Sequence, residues 1–188
     1  MRLKTDLVIM GSGMAGISAA DAALARGKKV MVFEKKPYQG GAVSNCPIAY
    51  LSIRNDKDFQ NTAFHLLYEY SNYNANPSVI RQYVNNSWRT KEYIERLGIK
   101  MIQTQKLELE DIGNPKYADG FPPAIMAHGD FYLVPGRGKG HGGALICLNA
   151  MKDIIKRGGQ YMLNTPITDI LVDENGKVNG VKAVNNET

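Results

Sequence analysis

The chain has 188 residues, 44% hydrophobic and 22% charged, the balance of a globular domain with material for a real core and not of a disordered chain. Its longest unbroken apolar run is the five residues Ala144 to Leu148, so it contains no membrane-crossing helix, which needs about 20. The net charge of +5 comes from 23 basic and 18 acidic residues. The basic residues lie scattered, without interleaved aromatics, and no nucleic-acid partner is expected.

Read in order, Asp6 to Met10 is a short apolar run closed by a glycine cluster, the pattern of a buried strand. Met14 to Ala25 is alanine-rich and proline-free, a helix that Arg26-Gly27 stops. Lys29 to Phe33 is a second strand with Glu34 at its end, so the first part has the size of a βαβ crossover. A polar, glycine-containing loop is expected from Pro37 to Asn55.

Asp56 to Tyr73 places Phe59, Ala63, Leu66, Leu67 and Tyr70 on one helical face. Asn76 then caps a helix with Pro77 at its first position, running to Leu97 before Gly98. Ile99 to Thr104 reads as a strand, and Lys106 to Gly143 as a long irregular loop. Regular structure returns with a helix from Ala144 to Arg157 and a strand from Gln160 to Asn164. A hairpin of Thr168–Val172 and Lys177–Val184 then turns at Asn175-Gly176.

The residues that carry chemistry begin with Gly11-Ser12-Gly13-Met14-Ala15-Gly16. Such a G-x-G-x-x-G motif has meaning when it follows a strand and opens a helix, as this one does. Gly11 permits the tight turn, Gly13 lets a pyrophosphate approach the backbone, and Gly16 lets helix and strand pack closely. The helix start offers N–H groups and a positive dipole end to phosphate. Glu34 stands at the spacing where a carboxylate accepts from ribose hydroxyls and disfavours a 2′-phosphate. A dinucleotide cofactor follows from this unit.

After Glu34-Lys35 the chain continues to Gly40-Gly41-Ala42-Val43. A plain NAD domain has no special need of that glycine pair, whereas a chain passing close to the flavin end of an extended FAD does. Together with Asp6–Met10, Gly142-Gly143-Ala144-Leu145-Ile146, Asn164-Thr165-Pro166-Ile167-Thr168 and Asn175-Gly176, this pattern resembles the flavoprotein subunits of fumarate reductase and succinate dehydrogenase. Their relatives include soluble fumarate reductases, L-aspartate oxidase, urocanate reductase and 3-ketosteroid dehydrogenases.

The resemblance implies an α/β, doubly wound Rossmann-like FAD-binding domain, with a parallel sheet and a β-hairpin. It implies FAD contacts at Gly11 to Gly16, Glu34, Lys35, Gly40 to Val43, and the backbone of Ile167. It also implies hydride transfer between flavin and a C–C bond of a small carboxylate-type substrate, with an electron-transfer or iron–sulfur protein as a further partner. The loop has no histidine where membrane-bound relatives attach flavin covalently, so non-covalent FAD is expected. Residues 1–188 are then the N-terminal portion of the domain: a dinucleotide unit and flavin loop at 1–55, a helical segment at 56–104, an irregular loop at 105–143, and a helix with hairpin at 144–188. The later strand of the sheet, the capping domain and the family's catalytic residues are expected outside it.

The chain departs from the family at Cys46-Pro47-Ile48-Ala49, where small residues or a second glycine pair usually lie beneath the flavin. Other readings stay open: an adenylylsulfate-reductase-like subunit, for which Gly41-Ala42-Val43 is a hint, a non-catalytic nucleotide-binding module, or a plain NAD domain. Gly136 to Gly143 is a basic, glycine-rich loop that could hold an anion but lacks P-loop spacing. His65 reads as a packed or half-exposed helix residue, and His128 and His141 as loop residues. Asn85-Asn86-Ser87 matches a glycosylation sequon but falls mid-helix. Cys46 and Cys147 make neither a disulfide framework nor a zinc site. With the first strand starting near Thr5, no leader fits ahead of it, and a cytoplasmic setting is expected.

Overall fold

The computed structural model describes residues 1–45, 49–106, 129–133 and 142–186. In chain order its elements are β1 (Leu7–Met10), α1 (Met14–Leu24), β2 (Val30–Phe33), a 3-10 turn (Gly41–Asn45), β3 (Ala49–Ile53), α2 (Lys57–Tyr70), α3 (Pro77–Asn86), α4 (Arg89–Arg96), β4 (Ile102–Lys106), β5 (Gly129–Leu133), α5 (Gly142–Lys156), β6 (Gln160–Met162), β7 (Ile167–Val172) and β8 (Val178–Ala183). They form two compact units, Met1–Pro47 with Gly136–Thr188, and Ile48–Pro135.

The first unit is built on a parallel sheet of order β1-β2-β6. Its middle strand, β2, is buried at all four residues, as a strand flanked on both edges and covered by helices must be. Ile17 and Ala20 of α1, and Ile146, Cys147, Ala150 and Ile154 of α5, supply the buried helical faces. Parallel pairing requires a crossover between strands, and α1 provides it between β1 and β2. β7 and β8 form the antiparallel hairpin. Its turn closes with Asp173 Oδ1 accepting from the N–H groups of Asn175 and Lys177, and Gly176 sits at φ +76°.

The second unit holds the antiparallel sheet β3-β5-β4. Asp56 caps α2 by accepting from the N–H groups of Asp58 and Phe59, and Asn76 caps α3 ahead of Pro77. Ile53, Ala63, Ile80 and Val84 form its core, with Phe64, Leu67, Tyr68 and Ala75 packed against them.

Several elements differ from the sequence expectation. The loop expected from Pro37 to Asn55 contains β3, and the one from Lys106 to Gly143 contains β5, because these two strands pair with each other across the sequence. The helix expected to reach Tyr73 ends at Tyr70, which is 64% exposed, and Asn72 and Tyr73 take left-handed backbone. The helix expected from Pro77 to Leu97 breaks between α3 and α4. There Ser87 is buried and its hydroxyl accepts from the Ile53 N–H of β3 at 2.9 Å. The following strand starts at Ile102 rather than Ile99, after Gly98 at φ +76° ends α4.

Arg157, just past α5, ties that helix to α1. Its Nη2 pairs with Asp21 of α1 at 2.5 Å and with Asp153 at 2.8 Å, with all three side chains about three-quarters buried. Arg157→Ala is expected to cost about 1–3 kcal/mol in urea denaturation, because it strips charge-assisted bonds from two half-hidden carboxylates. The solvent-facing pair Lys91–Glu95 sets the control: Lys91→Ala should change stability by less than about 1 kcal/mol.

Candidate dinucleotide site

The loop between β1 and α1 is shaped by close backbone approach. Gly11 sits at φ +92°, a conformation that L side chains rarely adopt, and its N–H donates to Phe33 O at 2.7 Å. The chain thus leaves β1 while still bonded to β2. A β-carbon at Gly16 would lie 2.1 Å from Gly11 O, so only glycine lets the first turn of α1 close onto the loop. Gly13 is the N-cap of α1 and offers no side-chain cap, and the first turn carries no acidic residue. Nothing lies within 4 Å of where its β-carbon would be. The helix therefore opens, at Met14 and Ala15, onto space with uncapped N–H donors, the setting in which phosphate is held.

Glu34 follows β2 and is only 5% exposed. Its Oε2 accepts from the Ser12 N–H at 2.9 Å and the Ser12 hydroxyl at 2.7 Å, and its Oε1 from the Lys36 N–H at 3.0 Å. Burial alone would raise its pKa, but these bonds, with a contribution from the Lys35 N–H, outweigh that and hold the carboxyl below its ordinary value. Ser12 is itself fully buried. In the sequence it is one position of a glycine motif; in the fold it joins the loop to the carboxylate. With three of about four acceptor positions engaged, a ribose hydroxyl reaching Glu34 shares it with Ser12 and Lys36.

The second glycine segment is tied to the first. Gly40 N–H donates to both Ser12 O and Ser12 Oγ, each at 3.1 Å. A β-carbon on Gly40 would sit 2.7 Å from Cys147 Sγ of α5, and one on Gly143 would sit 1.9 Å from Val43 O. The start of α5 is thereby seated on the Gly41–Asn45 turn, in which Ala42 is exposed and Val43 half-buried. Burial pushes the Cys147 thiol up to about 11, so it is a neutral packing group near pH 7.

Ser12, Glu34 and Gly40 therefore converge through direct hydrogen bonds, while Gly11, Gly13 and Gly16 shape the loop beside them. The side chain of Lys35 is exposed. Ile167 stands apart from this network at the start of β7. It lines a cavity of ≈ 430 Å³ with β1 and hairpin residues including Leu7, Val8, Met10 and Ile170. Asn164 and Thr165, just before it, are bonded through their N–H groups to Lys36 O and Glu34 O.

Two residues of the site escaped the sequence reading as contributors to its shape. Gly143 is one; its glycine pair marked only the approach to a helix. The other is Tyr161 of β6, whose hydroxyl is buried without a hydrogen-bond partner. His65 is exposed on α2, edge-on to Phe64 at 5.4 Å. The sequon serine, Ser87, is buried. Cys46, Pro47 and Ile48, His128, and the loop from Gly136 to His141 lie outside the described residues. Among the described residues no cluster of His, Cys, Asp or Glu could hold a metal ion, and no helix is long and apolar enough to cross a membrane.

Comparison with known proteins places this geometry. An NADH:fumarate oxidoreductase of Klebsiella pneumoniae (strain 342) is 26% identical over 189 residues, covering 97% of this chain and 18% of that protein. Among solved structures, the 3-ketosteroid-Δ4-(5α)-dehydrogenase of Rhodococcus jostii RHA1 superposes with a TM-score of 0.72 at 18% identity, over 98% of this chain and 42% of that one. The quinol fumarate reductase of E. coli gives 0.71 at 19% identity, over 97% and 29%. The chain thus spans less than half the length of each of these relatives, and the structural likenesses speak for the fold. The family of the FAD binding domain matches residues 6–188, and the chain belongs to that family.

Proposed function

We propose that this chain holds FAD non-covalently as the cofactor-binding part of an oxidoreductase of the fumarate reductase and succinate dehydrogenase type. The observation that carries the reading is the joined cradle, in which the open, uncapped start of α1, the buried Glu34 carboxylate and the Gly40 turn are fixed to one another through Ser12. The empty space at Gly13 and the close approach of Gly16 to Gly11 O suit a pyrophosphate and leave no room for a bulkier loop.

In this reading the N–H groups of Gly13, Met14 and Ala15 bind the pyrophosphate, with Gly11 and Gly16 shaping their approach. Glu34, kept charged by its donors, accepts from the ribose, and the acidic group disfavours a 2′-phosphate. Lys35 and the backbone at Ile167 serve the adenosine end, and Gly40, Gly41, Ala42 and Val43 the flavin end. Bound FAD supplies hydride transfer to or from a C–C bond of a small carboxylate-type substrate. The residues that bind that substrate are proposed to lie in the longer flavoprotein, as does any contact with an electron-transfer or iron–sulfur partner; the setting is cytoplasmic. The whole of 1–188 then acts as one portion of the FAD domain.

The purified protein titrated with FAD is expected to show flavin absorption bands and to release intact FAD on heating. Colourless protein that responds instead to NAD would overturn the reading. Glu34→Gln, which keeps the shape and removes the charge, should weaken FAD binding about 10- to 100-fold, the worth of a charge-assisted bond. Because the folded pKa of Glu34 is depressed from 4.5, its contribution is complete above that pH. It is lost as pH falls below it, through the folded pKa. The wild-type affinity should show this acid limb and Glu34→Gln should not. Gly16→Ala, whose added carbon meets the Gly11 carbonyl, should destabilise by about 1–3 kcal/mol in thermal or urea denaturation.

A further inference from the structure

Tyr161 pairs with Val32 in the β2–β6 register. Side chains alternate along a strand, so Val32 and Glu34 share a face, and Tyr161 beside Val32 lies on that face too. Its hydroxyl is buried without a hydrogen bond of full geometry, and Ser12 is the side chain within bonding reach of it. Burial pushes its pKa up to about 12, and Ser12, Cys147 and Glu34 are the polar neighbours that act on it. A phenylalanine would fill the same strand position, so packing alone does not call for the hydroxyl. Buried hydroxyls without partners are uncommon and costly.

An acceptor is at hand. Ser12 Oγ donates its proton to Glu34 Oε2 and accepts from the Gly40 N–H. A hydroxyl oxygen has two lone pairs, so one remains. The alternatives are poorer: Glu34 acts on the phenol only through its charge, and the Cys147 sulfur is a weak acceptor.

We infer that Tyr161 is a positioning residue for the ribose-binding carboxylate, its hydroxyl donating to Ser12 Oγ and so fixing the Ser12–Glu34 bond around which the FAD site is arranged. The inference rests on the FAD reading above. A chain from phenol to serine hydroxyl to carboxylate polarises in one direction, each bond strengthening the next. With its hydroxyl held at both ends, Ser12 does not turn away when a ribose competes for Glu34, and Gly40 keeps its place against Ser12.

The test is a double-mutant cycle of Tyr161→Phe and Ser12→Ala, read by FAD fluorescence titration across acid pH and by thermal melting. Tyr161→Phe is expected to weaken FAD binding about two- to tenfold where Ser12 is present, the worth of one hydrogen bond, and to change nothing in the Ser12→Ala protein. It should also move the acid limb of the affinity to higher pH, since Glu34 loses support for its charged form. A packing role would leave that limb in place. Equal losses in both backgrounds would show that the hydroxyl does not act through Ser12, and unchanged affinity with a raised melting temperature would show it to be a plain orphan; either overturns the inference. Should Ser12→Ala fail to fold, Tyr161→Phe alone decides through the acid limb: a shift to higher pH supports the inference and an unmoved limb overturns it. Wild-type protein that takes up no FAD would sink the functional reading and this inference with it; wild type and Tyr161→Phe binding alike would sink only this one.

Discussion

A carboxylate buried beyond the end of a parallel strand is costly unless donors surround it, and Glu34 meets this constraint by drawing on Ser12. Both the N–H and the hydroxyl of Ser12 point at Oε2, and bonds to a charged acceptor are the stronger kind. The loop after β1 is therefore held to the segment after β2 by more than strand pairing. Gly40 joins the same knot by donating to Ser12. Three segments of the first 40 residues are locked at one point, and the start of α1 is aimed by that lock.

The rest of the site is formed by the absence of side chains. Gly16 against Gly11 O, Gly40 against Cys147 Sγ and Gly143 against Val43 O are all approaches too close for a β-carbon. Such contacts bring backbone donors to the surface of the loop, where an anionic ligand can meet them. They also make the site intolerant of substitution, because a densely packed interior has little room to relax. Binding geometry and stability are in this way the same property of the first unit. The Arg157 clamp on Asp21 and Asp153 serves it from the other end of α1 and α5, keeping the two helices in place over the sheet.

Much of this was legible in the residues. The βαβ unit, the glycine motif and its carboxylate, the cap at Asn76-Pro77, and the hairpin at Asn175-Gly176 all announce themselves within a few positions. Each depends on a local cause: a periodicity, a turn that demands glycine, or a side chain that reaches its own helix start. The antiparallel sheet of the second unit did not announce itself. β3 and β5 are short and set in loop-like surroundings, and what makes them strands is each other, a pairing that no local window contains.

The same division runs through the site. From the sequence alone come the family resemblance, the cofactor class, and a list of candidate contact positions. Only the tertiary structure decided that Ser12 is the partner of Glu34, that Gly143 seats α5 on the Val43 turn, and that the Tyr161 hydroxyl is buried. It also decided that the hydroxyl of Ser87, where α3 ends, accepts from the Ile53 N–H. The physical reason is common to all four. A buried polar group or a close contact is settled by whichever segment the fold brings beside it, and that neighbour is fixed by packing over the whole chain rather than by the residues on either side.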